Sequence, residues 1–148
     1  MSKRLEDLDS RMYVKAKNAF NAMNESKVLK EYGVEKVIIS ETKRSLSTQM
    51  AYYSRGRMDA EDVKKMYKAA GLYDISSTEA MQKNTWTLKS KHLEGLAVDF
   101  VPVKNGSCWW QAVPEVWEEM GKIGESYGLE WGGRWEQKDL PHFQYKEE

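Results

Sequence analysis

The chain has 148 residues, about the length of one ordinary domain and enough to bury roughly two-thirds of its unfolded surface without staples. Its 23 basic and 23 acidic residues cancel, which excludes a global field that would recruit nucleic acid or an anionic membrane. Cys108 is the only cysteine, which excludes an internal disulfide framework and a cysteine-rich zinc site, and no stretch approaches the ~20 apolar residues of a membrane span.

The opening MSKRLEDLDSRM mixes charges and lacks the apolar core of a secretory leader, so the expectation is synthesis in a reducing cytoplasm. Leu5, Leu8, Met12, Ala16, Ala19, Phe20 and Met23 recur at three- and four-residue steps, which predicts an amphipathic helix. Val28, Leu29 and Tyr32 extend the pattern toward Gly33. The β-branched run VEKVIIS, residues 34–40, predicts a buried strand, with Arg44 just beyond its end.

STQMAYYSRGR predicts a short helix, and Asp59, with Asp62 three residues later and Gly71 at the far end, frames another that buries Val63, Met66, Tyr67 and Ala70. GLAVDFVPV, residues 95–103, predicts a strand whose Pro102 suits an edge or an exit, followed by the turn KNGS. Pro114 opens a helix that buries Val116, Trp117, Met120, Ile123 and Tyr127 and stops at Gly128. WGGRW, a polar turn and the short strand HFQY close the chain. This order predicts an α+β fold, a small mostly antiparallel sheet flanked by helices, as one domain over 1–148. Residues 1–33 form its helical N-terminal part and residues 34–145 its core.

The chain's two histidines each fall beside an acidic residue. In SKHLEGLAVDF, Gly95 separates His92 from Asp99, and a loop running into a strand folds the imidazole back toward the carboxylate. In KDLPHFQY, Pro141 holds Leu140 extended and leaves Asp139 in the turn before the strand, from which it leans over whatever His142 touches. Two histidines and an aspartate can supply three zinc ligands and leave a position for water, with a further carboxylate to move its proton. On spacing alone, a metal site and a set of ordinary hydrogen-bonded residues stay equally open.

Ser90-x-His92-x-x-Gly95-x-Ala97-x-Asp99, then Trp131-Gly132-Gly133 and Asp139-x-x-His142-Phe143, resembles the zinc peptidase family of the D-alanyl-D-alanine carboxypeptidases and the phage L-alanyl-D-glutamate endolysins. The resemblance covers roughly residues 34 to 145. It implies one zinc ion per chain, with His92, Asp99 and His142 as ligands and Asp139 as catalytic acid/base. It implies that Arg44 polarises the scissile carbonyl and that Ser90 and Gln49 line the substrate site. Asp-x-x-His in place of Glu-x-x-His is similar to the endolysin branch, so the implied reaction is hydrolysis of the L-alanyl-D-glutamate bond of the peptidoglycan stem by metal-activated water. A D,D-carboxypeptidase that removes terminal D-alanine, and a catalytically idle wall-binding module on the same scaffold, are the alternatives.

The resemblance further implies a compact monomer without a separate cell-wall-binding domain, of the kind used against thin walls. Such a protein waits in the cytoplasm of the infected host until a separate holin releases it to the periplasm and wall. The stem carries carboxylates, and Arg57 in YYSRGR is a candidate donor for one, against the plainer reading of a solvated helix end. Trp109, Trp110, Trp131 and Trp135 flank the motifs as core or rim packing or as groove lining, and Trp86 carries no assignment. Cys108 is expected to be an inert packed thiol, since no histidine is left to activate it.

Overall fold

The computed structural model describes residues 2–85, 87 and 89–147, so Trp86 lies outside the described residues. Helix α1 (Ser10–Glu25) starts where the Asp9 carboxylate accepts the Arg11 N–H, and of the predicted face it buries Met12, Ala16, Ala19 and Met23; Phe20 is half-buried, and Leu5 and Leu8 precede the helix, Leu5 in the 3₁₀ turn Leu5–Asp7. It does not run on to Gly33 as the periodicity suggested. Ser26 is extended and its hydroxyl accepts the Leu29 N–H at 3.2 Å, opening a separate helix α2 (Lys27–Glu31). A serine at that position competes with helix continuation by capping the next one. Of the expected continuation only Leu29 is buried, while Val28 and Tyr32 are exposed.

Five strands form one sheet: β1 (Lys36–Glu41), β2 (Ala97–Lys104), β3 (Ser107–Cys108), β4 (Leu129–Trp131) and β5 (His142–Tyr145). The order is β1-β2-β5-β4, with β3 a short hairpin partner of β2, and every pair is antiparallel. Both long strands begin two residues later than the sequence suggested and end one residue later. Pro102 lies in an interior strand, not at an edge. It is tolerated because β5 pairs only with residues 97–99 and β3 only with Val103 and Lys104, so the missing N–H falls in the gap between them, on the side that donates from Phe100 to the Pro141 carbonyl.

Helices α1 and α6 (Pro114–Ser126) pack on this sheet around Phe100, Phe143 and Trp131. Gly121 and Gly124 let α6 approach very closely, since a Cβ on either would lie 2.3 Å from the Trp131 ring or 2.4 Å from the Phe143 ring. Tyr127 is exposed instead of buried, because it sits at the C-cap where the chain turns away at Gly128. Helices α3 (Leu46–Ser54), α4 (Ala60–Ala69) and α5 (Ser77–Ala80) gather around a second cluster of Ala51, Val63, Tyr67, Ile75 and Ala80. Among the described residues no helix is long and apolar enough to cross a membrane.

Candidate metal centre

Strand β2 sets Asp99 directly opposite His142 on β5 and Glu41 on β1. The second pairing depends on a bulge. Ile39 faces Phe100 and Glu41 faces Asp99, leaving Ser40 as the extra residue, so the irregularity brings the Glu41 side chain beside Asp99. Three polar residues of three neighbouring strands therefore stand in one row.

His92 joins them from a single 3₁₀ turn, Lys91–Glu94, capped by the Ser90 hydroxyl, which accepts the His92 N–H at 3.2 Å. The turn ends at Gly95, where φ is +70° and a Cβ would lie only 3.0 Å from the Asp9 nitrogen, so a side chain there would be strained. The predicted fold-back of His92 onto Asp99 is thus what the backbone adopts. His92 Nδ1 donates to the Thr42 carbonyl at 2.6 Å, which fixes its tautomer and leaves Nε2 facing Asp99 Oδ1 at 3.1 Å. His142 faces the same oxygen through Nδ1 at 3.3 Å.

The far nitrogen of His142 is held as well. Its Nε2–H donates to Gln144 Oε1 at 2.9 Å, and the Gln144 amide is oriented by donating to Glu130 Oε2 at 3.2 Å. The Trp135 indole donates to that same oxygen at 3.0 Å. One donor atom from each of His92, Asp99 and His142 lies within 4.8 Å of the others. Two imidazoles with their outer N–H groups anchored, plus one carboxylate, are a donor set that suits zinc and leaves a coordination position open. The residues present fit one such ion.

Burial raises the Asp99 carboxyl, but the two histidines facing it outweigh burial and hold it well below the usual carboxylate range. Burial likewise opposes a charge on His142, and Asp99 outweighs it, so that imidazole is pushed up. Asp139 reaches the group from the loop, Oδ2 lying 3.9 Å from His142 Nδ1. Desolvation, with Asp99 nearby, pushes its carboxyl up, although half of its side chain is open to the cleft. Its position rests on Gly132: the Asp139 N–H donates to the Gly132 carbonyl at 3.0 Å, and a Cβ on Gly132 would meet the Asp139 carbonyl oxygen at 2.5 Å.

These residues line a cleft of about 990 Å³ that also takes in Arg44, Tyr52, Arg55, Tyr67, Tyr73, Ser90 and Trp135. Arg44 is clamped, with Nε 2.9 Å from Glu41, Nη2 paired to the other Glu41 oxygen, and Nη1 donating to Gln49 Oε1 at 2.5 Å. Its guanidinium stacks on Tyr52 at 4.8 Å. Gln49 is fully buried, does not line the cleft, and reaches the site only through Arg44, while its amide holds the Thr87 carbonyl at 2.6 Å. Arg57 is also outside the cleft wall; it stacks on Tyr53 at 3.9 Å and donates to the Tyr53 and Thr85 carbonyls. The neighbouring Arg55 takes the place in the wall that the sequence suggested for Arg57.

Of the tryptophans, Trp135 lines the cleft with its ring tilted against His142 at 5.2 Å between centroids, Trp131 is core, and Trp110 is exposed. Cys108 is exposed, not packed, because its two-residue strand β3 lies at the rim of the sheet. Sequence reasoning missed Glu41, Gln144, Glu130 and Arg55. Gln144 carried a signal, since it lies two residues beyond His142 on a strand and so shares its face.

Comparison with known proteins agrees with this geometry. A family profile described as D-alanyl-D-alanine carboxypeptidase matches residues 83–145, the stretch that holds His92, Asp99, Asp139 and His142. The peptidoglycan L-alanyl-D-glutamate endopeptidase CwlK of Bacillus subtilis (strain 168) is 31% identical over 117 residues, covering 73% of this chain; the chain spans 59% of that relative's length. The fold is similar to the crystal structure of the L-Ala D-Glu endopeptidase ChiX of Serratia marcescens, with a TM-score of 0.56 at 23% identity over 96% of this chain and 83% of that one. It is also similar to VanYB in complex with D-alanine-D-alanine, with a TM-score of 0.54 at 20% identity over 93% of this chain and 71% of that one. Motif order, sheet architecture and these similarities agree, and over residues 83–145 the chain matches the D-alanyl-D-alanine carboxypeptidase family profile.

Proposed function

We propose that the chain is a zinc-dependent peptidoglycan endopeptidase that hydrolyses the L-alanyl-D-glutamate bond of the peptide stem. The observation that carries this reading is the convergence of His92, Asp99 and His142 within 4.8 Å, with the Asp139 carboxylate beside them in one cleft. His92 through Nε2, Asp99 through Oδ1 and His142 through Nδ1 would hold the ion. When bound, it supplies a Lewis acid and lowers the pKa of water from 15.7 to about 7.

The protein's own groups do the rest. Asp139 accepts the proton of the attacking water and returns it to the leaving amine, a role worth about 100- to 10,000-fold. Of the five N–H donors of Arg44, three are engaged by Glu41 and Gln49. The other two are offered to the carbonyl oxygen as charge develops there, an interaction worth about 3 kcal/mol for a single preorganised donor. The clamp gives that donor its preorganisation. Gln49 acts here as a positioning residue, and Ser90 positions His92 while lining the cleft.

Support for the endopeptidase over the carboxypeptidase is that CwlK and ChiX are endopeptidases of that bond. The D,D-carboxypeptidase reading has its own support in the profile's description and in VanYB bound to D-alanine-D-alanine. The Asp-x-x-His form favours the endolysin branch, and with it a phage enzyme acting as a monomer, held in the host cytoplasm until a holin admits it to the wall. A synthetic stem peptide that begins with the L-alanyl-D-glutamyl bond and ends in D-alanyl-D-alanine offers both bonds at once. The endopeptidase frees a peptide with a new N-terminal glutamyl residue; release of D-alanine alone would instead establish the carboxypeptidase.

A further inference from the structure

Arg55 lines the same cleft, separated from Arg44 by the rings of Tyr52 and Tyr67, and it has an unusual environment. Its residue is only 9% exposed, yet it lines the cleft. Its Nε is spent on the backbone, donating to the Glu79 and Gln82 carbonyls at 3.2 and 3.1 Å. Its terminal nitrogens make one long contact among the described residues, Nη1 to the Tyr67 hydroxyl at 3.5 Å. No carboxylate among the described residues lies within ion-pairing distance of it. The nearby Glu79 carboxylate accepts the Tyr73 hydroxyl instead, at 3.1 Å.

A guanidinium removed from water without an anion is costly, and the cost is recovered when a carboxylate meets it in the two-pronged geometry that arginine favours. The surroundings suit such a ligand. Tyr67 and Tyr73 pack edge to face with centroids 5.5 Å apart beside the guanidinium, and Tyr52, 6.0 Å from Tyr67, connects this end to Arg44 and the histidine group. The floor from Arg44 to Arg55 is therefore a run of tyrosine rings between two fixed cations.

We infer that Arg55, with Tyr67 and Tyr73, forms a carboxylate subsite that binds a free carboxylate of the stem peptide distant from the scissile amide. This rests on the peptidase reading and names which feature of the stem selects the substrate. Arg44 serves the reacting carbonyl and Arg55 the distal charge, so the pair sets how the extended peptide lies across the metal centre.

The test compares kcat/KM for a synthetic stem peptide carrying all its carboxylates with the same peptide amidated at one carboxylate at a time. One amidation lowers kcat/KM by about 10- to 100-fold, mostly through KM, the loss of one charge-assisted contact. In Arg55→Gln the acid-over-amide ratio at that carboxylate falls toward one, and in Arg55→Lys part of it returns. A merely structural Arg55 would lower both rates together and leave the ratio intact, which overturns the subsite. If Arg55→Gln does not fold, the lysine variant and the wild-type series decide: equal kcat/KM across all wild-type peptides overturns the subsite alone. Cleavage of no peptide overturns the peptidase reading and the subsite with it.

Discussion

Asp99 Oδ1 lies 3.1 Å from one imidazole nitrogen and 3.3 Å from another, and the opposite nitrogen of each ring is tied to an oxygen. Rings held that way present lone pairs in fixed directions, which makes the outer partners part of metal affinity. Gln144→Leu is expected to weaken zinc binding by about 10- to 100-fold with little change in the metal-free fold, measured by competition with a chromophoric chelator; an unchanged affinity would show that the Gln144 bond does not orient His142. Asp139→Asn is expected to keep zinc and lose about 100- to 10,000-fold in kcat, measured with metal content assayed on the same sample. His92 and Asp99 were legible because Gly95 gave the sequence a reason to fold back. Arg55 was not, because the chain passes through the positive φ of Gly56, at +71°, and sends Arg55 and Arg57 to different surroundings. Two arginines flanking one glycine look alike on paper.

The elements owe their placement to a few close approaches. The bulge at Ser40 brings Glu41 beside Asp99, and no pattern of apolar residues reports a bulge. Helix α6 was predictable from Pro114 to its end, whereas its contact with the sheet was not, since nothing local says that Gly121 and Gly124 yield their Cβ space to Trp131 and Phe143. Gly121→Ala places a methyl group 2.3 Å from a buried indole, and overpacking of that kind costs about 1–3 kcal/mol, read as a fall in Tm. Gly132→Ala instead pushes on the Asp139 carbonyl at the loop. Its expected signature is a large loss of kcat with a small change in Tm, and the reverse pattern would contradict the role given to that loop. The break between α1 and α2 was legible in Ser26 but hidden by the continuing apolar period.

At the scale of the whole molecule, His92, Asp99 and His142 come from a turn and two strands separated by up to 50 residues, in a cleft between the sheet core and the α3–α5 cluster. An ion bound there stabilises the folded state by mass action, about 2.7 kcal/mol at a hundredfold excess over Kd, which for a chain of this size raises Tm by roughly 5–10 °C. In the metal-free protein the raised His142 adds stability that is complete below its ordinary value of 6.5 and fades as pH rises through its folded value. Zinc displaces that proton, so affinity climbs over the same window. Melts with and without chelator, compared from about pH 6 to pH 9, are expected to diverge upward; parallel curves would contradict the linkage.

The most direct measurement is mass spectrometry of purified peptidoglycan digested by the zinc-loaded protein, with Asp139→Asn of equal zinc content as control. New N-terminal glutamyl ends that the control lacks are the expected result. Intact stems after digestion by the wild-type protein, or equal cleavage by the Asp139→Asn control, would contradict it.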